Sequence, residues 1–121
     1  MMKYLKLLIY ISPKFKNIKL IFKYLDRLLE NINIELVLED EKTEILLKDF
    51  IRINDIPVKK IKMDEESYQK RAKKIQILEL CRYSDKALIF CDEEETIESF
   101  AIYDLIIKIM QYYERQFLVI R

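Results

Sequence analysis

Two acidic runs hold most of the side chains able to do chemistry: Glu39-Asp40-Glu41, with Glu44 three residues further on, and Asp92-Glu93-Glu94-Glu95 ahead of Thr96. Paired carboxylates can exchange a proton across a glycosidic bond, and oxygen-rich clusters suit Mg²⁺ or Ca²⁺. Asp92 to Glu95 are consecutive, however, without the spacing of a cation loop or the glycine of its sharp turn, so they read as a solvated acidic turn facing the positive end of a helix. No metal ligand set and no cofactor is expected. The hydroxyls and thiols that could attack an electrophile are Ser12, Thr96, Cys81 and Cys91, and the chain has no histidine to activate any of them. It also has no glycine, the residue that lets backbone N–H groups close on a phosphate. No catalytic residue is assigned, and the chain is expected not to be an enzyme.

These residues need elements to position them. Leu7–Ile11 is a continuous apolar run ending at Ser12-Pro13, the pattern of a strand buried on both faces. Between Phe15 and Ile32 the apolar positions follow the three-and-four spacing of a helix with one buried face. A strand at Ile34–Leu38 and a helix at Thr43–Asn54 follow, stopped by Asn54-Asp55 before Ile56-Pro57. Val58–Met63 reads as a third strand, Glu65–Tyr83 as a charged helix, Ala87–Cys91 as a fourth strand, Thr96–Tyr113 as a fourth helix and Phe117–Ile120 as a last strand. Strict alternation predicts βαβ crossovers and, together with the family resemblance described below, implies one α/β domain over residues 1–121, a three-layer Rossmann-like sandwich with a five-stranded, mostly parallel sheet in the order 3-2-1-4-5.

The fourth helix is apolar nearly all round, apart from a narrow stripe of Asp104, Lys108, Gln111 and Arg115. Phe100, Tyr103, Ile106, Met110 and Tyr113 cannot all face one sheet. They are expected to form an interface, a homodimer through this helix being the simplest form of it.

The strings Ile56-Pro57-Val58, Tyr68-Gln69-Lys70-Arg71-Ala72 and Tyr83-Ser84-Asp85-Lys86-Ala87-Leu88-Ile89-Phe90 resemble the YspA-like branch of the SLOG superfamily, Rossmann-like domains related to DprA and the LOG proteins. In that family a Pro-Val strand precedes a Tyr-Gly-Lys-x-Ala-Gly segment, an Arg-Asn pair, a strand similar to "YADALI" and a Gly-Thr-led helix. The family's glycine-rich loop falls on Leu38-Glu39-Asp40-Glu41-Lys42-Thr43-Glu44, where both leading glycines and the arginine are replaced and an acid survives at Glu44. The Arg-Asn pair appears as Gln76-Ile77, and the glycine before Thr96 is gone. The resemblance implies a crevice for a nucleotide-derived ligand at Ser12, Lys14, Glu39, Glu41, Glu44, Lys70, Arg71, Asp92 and Thr96.

The seven carboxylates of the two acidic runs crowd the strand ends where such relatives hold phosphate, and like charge opposes it there. The crevice is thus expected to be vestigial and the chain to bind another macromolecule. An inhibitor of host defence carried by a phage or other mobile element is one protein of that kind. The alternative is a binding or sensing domain for a nucleotide-derived small molecule. With 22 Lys+Arg against 21 Asp+Glu the net charge is +1, well short of the basic excess that nucleic acid requires. The most basic segment, Tyr68, Lys70, Arg71, Lys73 and Lys74, therefore points first to an acidic protein partner. The apolar run near the N-terminus contains Lys6 and is shorter than a membrane span. A cytoplasmic protein without a membrane partner is expected.

Overall fold

The computed structural model describes residues 3–63 and 71–121. In chain order the elements are β1 (Tyr4–Ile11), α1 (Ile18–Leu29), β2 (Asn33–Leu38), α2 (Glu41–Ile53), β3 (Val58–Lys60), α3 (Ala72–Tyr83), β4 (Lys86–Phe90), α4 (Ile97–Tyr112) and β5 (Gln116–Ile120). The five strands form one parallel sheet in the order β3-β2-β1-β4-β5. This is the predicted α/β three-layer Rossmann-like sandwich.

Alternation along β1 explains the layers. Leu7 and Ile9 face one side, where Ile21 and Leu25 of α1 and Leu47 of α2 cover them; Leu8 and Tyr10 face the other, under Ile77, Leu80 and Cys81 of α3 and Tyr103, Ile106 and Met110 of α4. Each central strand is therefore buried on both faces, which is why β1, β2 and β4 read as apolar runs without polar alternation.

The element boundaries differ from expectation where caps and loop packing intervene. α1 starts at Ile18, not Phe15, because the Asn17 side chain caps it, accepting from Leu20 N at 3.3 Å, while Phe15 packs in the loop against Phe90 with ring centroids 5.5 Å apart. β3 is three residues long and ends at Lys60. The expected start of the third helix at Glu65, with Tyr68 and Lys70, lies outside the described residues.

Two helices end without glycine. Asp55 and Glu114 take up left-handed backbone, with φ of 50° and 55°, and in both places the following N–H reaches back into the last turn. Ile56 N donates to Ile51 O at 3.0 Å, and Arg115 N to Met110 O at 2.8 Å. Arg115 does not continue the polar stripe of α4. It turns away so that its guanidinium Nη1 meets the carbonyls of Cys81 (2.7 Å), Ser84 (2.6 Å) and Arg82 at the end of α3.

The expectation that Tyr103, Ile106 and Met110 form an interface is overturned. They are 8%, 0% and 0% exposed and lie inside the core between α4, α3 and the sheet. α4 is apolar nearly all round because α3 flanks it, half-burying Ile102, Leu105, Ile107 and Ile109 as well. Of the five predicted interface residues, only Phe100 (53%) and Tyr113 (36%) stand open to solvent. Among the described residues no helix is long and apolar enough to cross a membrane.

Candidate functional site

β1 lies between strands that the chain reaches in opposite directions, β2 on one side and β4 on the other, so the strand order reverses at the β1/β4 boundary. Open α/β sheets hold ligands at the C-terminal strand ends beside such a reversal. A cleft of about 360 Å³ opens there. Its walls are the end of β1 and the following loop (Tyr10 to Pro13, Phe15), the start of α2 (Glu39, Asp40, Lys42, Thr43, Leu46) and the start of α4 (Thr96, Glu98, Ser99, Ile102), with Ile18 of α1 beside them.

The first turns of three helices thus border one cleft, and in each one of the free N–H groups is capped by a side chain of the chain itself. Asp40 is the N-cap of α2: its carboxylate accepts from Thr43 N at 2.9 Å and from the Thr43 hydroxyl at 2.8 Å. Thr96 caps α4, its Oγ1 accepting from Ser99 N at 3.1 Å. Asn17 does the same for α1. A phosphate bound here would compete with Asn17, Asp40 and Thr96 for those N–H groups and would meet the negative charge of Asp40.

The rest of the lining is mixed: Ile11, Pro13, Phe15, Ile18, Leu46 and Ile102 make it largely apolar, and its charged residues are net acidic. Glu39 is 7% exposed, and its carboxylate pairs with the ammonium of Lys73, which burial holds below the ordinary lysine value. Asp40 and Glu98 face the cleft with Lys42 as the cation beside them. At the floor the Tyr10 and Ser99 hydroxyls share a buried hydrogen bond of 2.8 Å, and burial raises the Tyr10 phenol above its ordinary pKa, with the nearby carboxylates of Glu95 and Asp40 adding to the effect. Ser12 is 2% exposed and donates its hydroxyl to Glu95, whose carboxylate also accepts from Asp92 N at 2.5 Å. That hydroxyl is committed to a carboxylate and is not presented as a nucleophile.

Of the residues assigned to the crevice from the sequence, Ser12, Glu39 and Thr96 line the cleft. Lys14 and Glu41 are exposed outside it. Glu44 points away, bonded to Lys60 of β3 at 2.8 Å. Asp92 stays in its own turn, accepting from Glu93 N at 2.6 Å, and Arg71 is the exposed residue before α3. The crevice as predicted is therefore corrected for these five, and Lys70 lies outside the described residues. Lys73, part of the basic segment, is half-buried and pairs with the buried carboxylate of Glu39.

Sequence reasoning passed over Tyr10, Thr43, Glu98 and Ser99. Two signals pointed to them: the parity of β1, which puts Tyr10 on the same face as Leu8, and the Thr96–Ser99 spacing of an N-cap and the residue it caps. Gln76 of α3 bridges the strand ends behind the cleft. Its amide donates to Ile61 O at 3.0 Å and to Glu39 O at 3.2 Å. Among the described residues no group of three or more His, Cys, Asp and Glu side chains is arranged to hold a metal ion.

The chain matches no protein-family model, and no curated protein or solved structure is similar to it at a significant level.

Proposed function

We propose that this chain is a non-enzymatic binding protein on a SLOG-like scaffold, whose switch-point cleft takes a small hydroxyl-bearing ligand of the nucleoside class without its phosphates. The observation that carries this reading is the self-capping of the cleft. Asp40, Thr96 and Asn17 already answer the helix N-termini that would hold a phosphate, while Asp40, Glu98 and the hydroxyls leave acceptors for ribose-like hydroxyls or an amine. Thermal unfolding in the presence of nucleosides and of the matching mono- and diphosphates tests it. A saturable rise in Tm with a nucleoside is expected, reflecting about 2.7 kcal/mol of stabilisation at free ligand a hundredfold above Kd, and it should shrink on phosphorylation. Tighter binding of the phosphorylated form, or no saturable shift with any nucleoside, would overturn it.

A second reading, a protein that binds another macromolecule as an inhibitor would, draws on a different observation. Ile97 is 90% exposed between the cleft residues Thr96 and Glu98, with Phe100 bare one turn on, and Ile45 and Ile53 are 70% and 75% exposed on α2. Large apolar side chains left in water are a feature of contact surfaces, and Ile97 stands at the cleft mouth. Under this reading, replacing Ile97 and Phe100 by lysine abolishes capture of the partner while leaving nucleoside-induced shifts unchanged.

A further inference from the structure

The two open edges of the sheet differ in chemistry. At β3 the exposed side chains are Lys59 and Lys60, the charge guard that keeps a foreign strand from adding to an edge. At the other edge, β5 reads Gln116-Phe117-Leu118-Val119-Ile120, with no charge, no proline and no bulge, and Leu118 is 42% exposed. Among the described residues β5 pairs only with β4.

Which backbone groups remain open follows from the ladder. Ile120 O accepts from Cys91 N at 3.0 Å, so Ile120, and by alternation Leu118 and Gln116, turn their N–H and C=O groups to β4. Those of Phe117 and Val119 point outward. The layer above the edge is apolar too. α4 packs against β5, which sets the Phe100, Tyr103, Ile107 flank of the helix beside this strand, with Phe100 53% exposed and stacked edge-on to Tyr103 at 5.1 Å.

We infer that β5 is the interface of a two-fold homodimer, in which the β5 strands of two copies pair antiparallel about Leu118 and join the two sheets into one. A second copy is the occupant because the strand is complementary to itself. With Leu118 on the axis, Phe117 of one copy stands opposite Val119 of the other, and the outward groups of both are exchanged in about four hydrogen bonds. Leu118 meets its counterpart as a non-hydrogen-bonded pair, the more closely spaced kind. This register keeps all five residues of β5 in pairs. A slip of one residue would set the two faces of the sheet against each other. The apolar flank of α4 then closes over the joint from one side. This interface differs from the α4-centred one expected from the sequence, whose central residues are core.

Sedimentation of the full chain at tens of micromolar, together with disulfide trapping, tests the inference. Cys81 and Cys91 are both 0% exposed, so an added surface thiol is the only accessible one among the described residues. The wild type is expected to sediment as a dimer. Leu118→Cys should cross-link to a covalent dimer under mild oxidation, since directly opposed Cβ atoms stand about 5 Å apart, near disulfide range. Gln116→Cys, opposite Ile120, should cross-link at least about tenfold less, given how steeply disulfide formation depends on that separation. Leu118→Lys should sediment as a folded monomer whose Tm no longer depends on protein concentration. A wild type that sediments as a monomer, or equal cross-linking of the two cysteine variants, overturns the inference, and the cysteine pair decides it even if Leu118→Lys fails to fold.

Discussion

The hydroxyls of Tyr10 and Ser99 lie 2.8 Å apart at the floor of the cleft, joining the C-terminal end of β1 to the first turn of α4 across 89 residues of chain. Both residues are buried, at 4% and 3% exposure, so each hydroxyl depends on the other for a partner. Tyr10→Phe strands the Ser99 hydroxyl and should cost about 1–3 kcal/mol, the penalty of an unsatisfied buried polar group. Ser99→Ala in the same background removes the stranded group and should recover part of the loss. Urea unfolding of the two single variants and the double variant measures the coupling; additive single-variant losses would show that the bond contributes nothing to the fold.

Glu114 occupies left-handed backbone at the end of α4 with φ of 55°, a conformation that crowds the Cβ of any residue but glycine. It is exposed and its side chain contributes nothing to the core. Glu114→Gly should therefore stabilise the chain by about 1 kcal/mol, the relief of strain being partly offset by the freer unfolded chain. Calorimetry should record a Tm higher by several degrees, whereas Glu114→Ala should leave it unchanged. A drop in Tm for the glycine variant would mean that the turn is held by something other than its backbone.

Arg115, one residue on, ties the start of β5 to the end of α3 by closing on the carbonyls of Cys81, Arg82 and Ser84. These carbonyls lie at the C-terminal end of the helix, Cys81 O also accepting from Ser84 N at 3.2 Å, and a guanidinium there both donates to them and answers the negative end of the helix dipole. Arg115→Leu keeps the apolar stem and removes the donors, and should cost about 2 kcal/mol. Arg115→Lys, a point charge without the planar fork, should recover less than half of it. Chemical unfolding distinguishes these outcomes, and a lysine variant as stable as the wild type would mean that charge alone suffices.

Parallel crossovers were legible because each central strand is a short apolar run and α1 shows a clear three-and-four period, so strands and helices alternate; the strand order drew on the family resemblance as well. α4 was misread for a physical reason. A helix wedged between a sheet and a second helix presents apolar side chains over most of its circumference, and the pattern does not reveal whether α3 or another molecule covers Ile106 and Met110. Half the crevice was misplaced for a related reason. Acidic residues near a strand end were assigned to the site by position, yet whether a side chain turns in, as Glu39 does toward Lys73, or out, as Glu44 does toward Lys60, is settled by a partner from a distant segment. Tyr10 was hidden in the apolar run of β1, its phenol silent in a pattern read for hydrophobicity.

Cys81 sets the last expectation, because its thiol is fully buried in α3 and burial pushes its pKa from about 9 to about 12, with the charge of Arg115 opposing the shift only in part. In the unfolded chain the thiol loses its proton near its ordinary value, while in the folded chain it keeps it. The folded state therefore binds more protons between the two values, and stability falls as pH rises. The contribution is intact below about pH 9 and is lost progressively toward pH 12, at up to about 1.4 kcal/mol per pH unit. Tyr10, also raised by burial, adds a loss of the same sign above pH 10. Cys81→Ala should be less stable than the wild type at pH 7, since it leaves a small cavity, yet its urea midpoint should decline less steeply between about pH 9 and pH 11. Parallel decline in the two proteins over that range would assign the alkaline loss to Tyr10 and the other groups, and leave the buried thiol without a part in it.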